Sequence, residues 1–275
     1  MQRVKISPLS PLRLLIYGKP GARKTSLAGT AGLDVRSAPV LWLDAGGNPI
    51  SLSRLKGARI DVLRITAVND LAAVYNWFAA GQPAKDIFAL ENRLTPPYKT
   101  LVFDGITHVQ RLSFDAITNS ESIAPGLIPP KPEWAHYRSV LSQMIVIASK
   151  FYTLPLHIIM TALSHPDQRF LIPGDQSTQF IYTEPMLSGQ TVSELPGWAL
   201  NVGHMMIAAS YDPRIVRAIK ADDNDVIIQF KPTRYVDAKD QHRLGDYLAN
   251  PTITKFLDII EANAAQAEDN TASKA

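Results

Sequence analysis

The chain has 275 residues, with 28 basic side chains against 25 acidic ones for a formal net charge of +3, and it contains no cysteine. At 46% hydrophobic and 19% charged residues it can bury a sizeable core, which excludes a disordered or collagen-like chain. The missing cysteine excludes disulfide frameworks, thiolate metal sites, iron–sulfur clusters and thiol catalysis.

In chain order, short apolar runs end on glycine, aspartate or polar residues, with helical stretches between them. The runs are Leu12 to Tyr17 before Gly18, Val40 to Leu43 before Asp44, Ile60 to Ile65, Leu101 to Phe103 before Asp104, and Leu156 to Met160 before a polar patch from Thr161 to His165. This rhythm predicts an α/β fold, a mostly parallel sheet flanked by helices, with ligands at the carboxyl ends of the strands. Asn69 or Asp70 opens a helix with Leu71, Val74, Tyr75 and Phe78 on one face, closed by Gly81; Asn250 and Pro251 open another with Ile253, Phe256, Leu257 and Ile260. Between them, Val202 to Ala209, Ile215 to Ile219 and Val226 to Phe230 are joined by turn compositions and predict C-terminal antiparallel hairpin strands. Asn119 to Pro132 and His165 to Gln179 read as long loops. The expected organisation is a single domain over 1–262 and a disordered tail over 263–275. No run nears the ~20 apolar residues of a membrane span, so the chain reads as a cytoplasmic protein without a membrane partner.

The first strand runs into Gly18, Lys19, Pro20, Gly21, Ala22, Arg23, Lys24, Thr25 and Ser26, followed by a helix-compatible stretch. A strand, a glycine loop and a Lys-Thr pair opening a helix form a polyphosphate cradle. Backbone N–H groups turn inward, Lys24 reaches the β- and γ-phosphates, and the Thr25 hydroxyl ligates Mg²⁺. Glycine is expected immediately before the lysine, where this chain has Arg23; if that position is left-handed, arginine costs ~1–2 kcal/mol there and its side chain must leave the cradle for solvent. Asp104, at the tip of an apolar strand ~80 residues on, is the expected metal carboxylate, acting through water. The rival reading of the loop is a chance Gly-Lys-Thr turn. Residues 1–66 carry eleven basic against three acidic side chains, so a +8 segment is offset by −5 in the remainder, which favours an anionic ligand at the N-terminal motif.

Ile16 to Ser26, Val40 to Gly47 and Thr100 to Thr107, together with Ile158 to Ala162 followed by His165, Glu184 to Gly189 and Leu195 to Gly197, resemble the RecA-like P-loop nucleotide-binding proteins of bacteriophages, which include single-strand annealing ATPases. The resemblance spans about residues 10 to 260. It implies a RecA-like core, ATP with Mg²⁺, a role in DNA recombination or single-strand DNA annealing, and a homo-oligomer with sites between subunits in a bacterial host cytoplasm. It places Lys24 and Thr25 on phosphate and metal and Asp104 on the metal. Thr161 becomes a polar sensor near the γ-phosphate, and Lys231 and Arg234 become basic residues reaching across a subunit interface; a solvated strand end is the alternative for those two. The family's second strand leads into Asp-x-Glu-Gly-Gly, whose Glu acts on the attacking water; Asp44, Ala45, Gly46, Gly47 lacks it. Asp44 is the remaining candidate base, on a side chain that must come within ~3 Å of that water.

The leading expectation is therefore a DNA-acting ATPase. The alternative is a nucleotide-binding annealing or assembly module without efficient hydrolysis, and a small-molecule kinase is a weaker third. The six histidines lack metal-ligand spacing and read as surface or core residues. For single-stranded DNA the candidate groups are Arg169, His165, Gln168, Gln176 and Gln179 in one loop and Lys131 and Trp134 beside the other.

Overall fold

The protein is described by a computed structural model covering residues 10–46, 49–82, 97–118, 132–170 and 176–272. The strands are β1 (Arg13–Gly18), β2 (Val40–Asp44), β3 (Ile60–Arg64), β4 (Thr100–Asp104), β5 (His157–Phe170), β6 (Gln179–Pro185), β7 (Asn201–Ile207), β8 (Val226–Gln229), β9 (Lys239–Asp240) and β10 (Tyr247–Ala249). The helices are α1 (Lys24–Gly29), α2 (Val68–Ala79), α3 (Ile106–Thr118), α4 (Trp134–Tyr152), α5 (Thr191–Trp198), α6 (Pro213–Ala218) and α7 (Ile253–Ala272). The main sheet runs β10-β8-β7-β1-β5-β4-β2-β3. From β7 to β3 every pairing is parallel, and β8, β9 and β10 add antiparallel strands at the C-terminal side. This is the expected α/β class, a mostly parallel sheet flanked by helices with antiparallel strands on its C-terminal side.

The central strands are apolar on both faces because helices cover both. Leu15, Tyr17, Leu41, Leu43, Leu101, Phe103, Ile158 and Met160 point to the layer of α2, α3, α4 and α5. Their alternating neighbours Leu14, Ile16, Val40, Trp42, Val102 and Ile159 point to α1 and α7. In α2, the Asp70 carboxylate accepts from the Thr66 and Ala67 N–H groups, and Gly81 follows the helix at φ +80°.

Four expectations need correction. Helix α7 begins at Ile253, where Thr252 Oγ1 accepts from Lys255 N and Thr30 Oγ1 from Ile253 N; Asn250 instead sits left-handed at φ 45°. Ile215 to Ile219 is not a strand: Asp212 accepts from Arg214 N and Pro213 opens α6, an N-cap and first-turn pair that favours helix over alternation. The segment from 263 continues as helix to Ala272, with Ala264 buried; alanine-rich composition propagates the turn even without large apolar side chains. The expected loop from His165 is the end of β5, which leaves the main sheet after Leu163 and pairs antiparallel with β6 from Ser164 to Phe170. The expected loop at 119–132 lies, apart from Pro132, outside the described residues, as do Gly47 and Lys131.

Candidate nucleotide-binding site

Strand order brings the chemistry together. Strand β5 lies between β1 and β4, and β4 pairs with β2, so the tips carrying Gly18, Thr161, Asp104 and Asp44 follow one another along one edge. Gly18 ends β1 where the chain grazes β7: a Cβ there would stand 2.3 Å from the Met205 carbonyl oxygen, so only glycine fits. Pro20 follows, and Ala22 N donates to the Lys19 carbonyl at 3.2 Å, closing the turn. Gly21 has φ +82° and Arg23 φ 61°, both left-handed, the alternation that folds backbone N–H groups into an anion-binding nest. The position before the lysine is therefore left-handed, as the glycine preference implies, and Arg23 occupies it. Helix α1 is short and continues as a 3-10 turn over Thr30–Leu33.

The Lys24 ammonium donates to the Gly18 carbonyl at 2.8 Å and to the Lys19 carbonyl at 3.0 Å. Burial brings its pKa down to about 8, and Asp104 pulls the other way. Thr25 Oγ1 donates to Asp104 Oδ2 at 3.2 Å, and Thr161 Oγ1 to Asp104 Oδ1 at 2.6 Å while accepting from Gly105 N at 2.9 Å. Burial raises the Asp104 carboxyl above the ordinary carboxylate range, with Asp44 adding to that; the Thr161 and Thr25 hydroxyls and Lys24 oppose it. Loop, lysine, hydroxyls and carboxylate converge, and the donor set fits a metal-bound polyphosphate: a hydroxyl and a carboxylate already share one hydrogen bond, and a cation stands beside them.

Asp44 is 2% exposed and lies 3.5 Å from Arg64 Nη1. The structure does not bring Lys231 or Arg234 to the loop of their own chain: Lys231 pairs with Asp246, and Arg234 lies over the Tyr235 ring at 5.8 Å. Arg169 is tied within its own arm, bonded to Asp167 and Glu184 and stacked 3.6 Å over Tyr182. Two histidines, expected only as surface or core residues, lie beside the strand tips. His108, one helical turn after Asp104, lies against the backbone of Gly46 and Gly105, and its buried Nδ1 has no partner among the described residues. Burial and Arg111 lower its pKa, while Asp104 and Asp44 raise it. His204 stacks on Tyr17 at 4.8 Å and is held down to about 4 by burial, then by Lys19 and Lys24. The signal for His108 is its i+4 spacing from a strand-end aspartate; His204 has none without the β1–β7 pairing.

Among the described residues no helix is long and apolar enough to cross a membrane. No curated protein matches the chain. Solved structures similar to it include the following two. One is a KaiC-like protein from the hyperthermophilic archaeon Pyrococcus horikoshii OT3, at 12% identity and a TM-score of 0.43 over 86% of this chain and 89% of that one. The other is the RadB recombinase, at 14% identity and a TM-score of 0.40 over 87% of each chain. The sequence model of the AAA domain family matches residues 10–242, a span that holds the loop, both aspartate tips and Thr161, and the chain belongs to that family.

Proposed function

We propose that the chain is a phage-encoded RecA-like ATPase that binds ATP with Mg²⁺ and acts on single-stranded DNA in recombination or annealing, as a homo-oligomer with sites between subunits. The observation that carries this reading is the bonded set of Thr25, Asp104 and Thr161 beside the half-buried Lys24. Lys24, released from the loop carbonyls, holds the β- and γ-phosphates, and the nest of backbone N–H groups fixes their position. Thr25 and Asp104 would hold Mg²⁺, which supplies charge neutralisation when bound. Thr161 keeps Asp104 oriented and its hydroxyl stands at the γ-phosphate side. Lys231 and Arg234, 51% exposed in the side chain of Lys231, are the groups offered to a neighbouring subunit. For DNA, Trp134 is 88% exposed at the start of α4 with Tyr137 and Arg138 close in sequence, a surface on which bases can stack. Equilibrium binding of Mg·ATP to wild type and to Lys24→Ala tests the site: the variant is expected to lose binding, and equal affinities would sink the assignment.

The second reading is a nucleotide-binding annealing or assembly module with weak turnover. It is favoured by the β2 tip, where the carboxylate of Asp44 is buried and engaged by Arg64. Steady-state phosphate release with and without single-stranded DNA separates the two; robust DNA-stimulated release eliminates the weak-turnover reading.

A further inference from the structure

Beside the phosphate loop lies a cleft of about 200 Å³ whose lining includes Arg23, Ser26, Met205, Val226, Asn250 and Thr252. Thr25 and Ser26 are consecutive on α1 and point ~100° apart. The Thr25 hydroxyl goes to Asp104 on the β4 side, while Ser26 faces the cleft on the β7–β8 side. An extended anionic ligand whose far end is held by Lys24 and Thr25 therefore leads past Ser26 into this cleft. Its lining is mostly apolar, and its one charged residue is Arg23, held there by a left-handed backbone that glycine would occupy without strain.

We propose that this cleft receives the heterocyclic base of a purine nucleoside triphosphate, and that Arg23 supplies the planar face on which the base stacks against Met205 and Val226. The proposal rests on the phosphate-loop reading above. A guanidinium stacks on aromatic rings through its plane as well as its charge, which an ammonium cannot do. The polar side chains nearest the base edge, Asn250 and Thr252, each already hold a backbone or side-chain partner. Asn250 Nδ2 donates to Asp225 Oδ1 at 2.8 Å and its Oδ1 accepts from Val226 N at 3.3 Å, while Thr252 Oγ1 accepts from Lys255 N. Recognition by stacking and shape then tolerates either purine.

The test is calorimetric titration of the full chain with Mg·ATP, Mg·GTP and Mg·tripolyphosphate, for wild type, Arg23→Gly and Arg23→Lys. Arg23→Gly removes the backbone strain, so loss of fold does not confound it. The expected result is that wild type binds ATP and GTP within about threefold of each other and both more tightly than tripolyphosphate. Both variants should bind the nucleotides about tenfold more weakly, with tripolyphosphate unchanged within about twofold. Unchanged ATP affinity in Arg23→Gly overturns the proposal, as does full affinity in Arg23→Lys or an equal loss for tripolyphosphate, which would make Arg23 a phosphate ligand. A large ATP preference over GTP overturns the stacking-only recognition. Wild type binding ATP no better than tripolyphosphate overturns the cleft alone, whereas wild type binding neither overturns the loop reading and the cleft with it.

Discussion

Asp44 and Asp104 stand opposite one another at the ends of adjacent parallel strands, in register, on the same edge of the sheet. By position they are near equivalents, but their partners differ. Asp104 is held by two hydroxyls, one from the phosphate-loop helix and one from β5, with a lysine close enough to act on its charge. Asp44 lies 3.5 Å from an arginine on β3 whose side chain is 61% exposed. A strand-end aspartate is thus defined by what the neighbouring strand delivers to it. Strand β5 delivers a hydroxyl, and β3 delivers a cation that competes for the same oxygens.

The largest expected effect separates the two tips directly. Asp104→Asn should weaken Mg²⁺-dependent ATP binding about a hundredfold, whereas Asp44→Asn should change it less than about threefold; equal losses in a titration of both variants would erase the distinction. Next is pH. With a Lys24 pKa of about 8, nucleotide affinity is flat below that value and falls above it, by up to about tenfold per pH unit, as the ammonium loses its proton. Asp104 raises that pKa, so Asp104→Asn should move the break to lower pH, while Asp44→Asn leaves it in place; affinity measured from pH 6.5 to 10 checks both. Thr161→Val removes the hydroxyl that bonds Asp104 and Gly105 N inside the protein, and should cost about 1–3 kcal/mol in urea unfolding, most of it recovered by Thr161→Ser. Smallest is Arg64→Ala, expected to cost at most about 1 kcal/mol because the arginine is mostly exposed, with nucleotide affinity unchanged; a drop in affinity would show that the β2 tip belongs to the site after all.

The residues that were legible in the sequence are those whose role is local. Gly18 to Ser26 and the Asp104 tip announce themselves because a glycine turn, a Lys-Thr pair and an apolar run ending in aspartate are contiguous. The arm of β5 and β6 was hidden because its strands are solvated on both faces, so His165 to Phe170 shows the composition of a loop and none of the alternation of a half-buried strand. The Ile215 to Ile219 segment carried a valid helix signal in Asp212 and Pro213, outweighed by a run of branched residues that favours strand. The cleft beside Arg23 could not be read at all: its walls come from α1, β7, β8 and the approach to α7, which only the finished topology brings together.

Strand β5 has a mechanical consequence. Thr161 and Phe170 lie on one uninterrupted strand, nine residues apart and so about 30 Å at ~3.3 Å per residue. Its root is clamped between β1 and β4, and its outer half pairs with β6. The hydroxyl that positions Asp104 is therefore built into a cantilever. A partner gripping the arm's far end bears on the fixed end through continuous backbone, with Thr161 two residues inside the point where the beam leaves the wall.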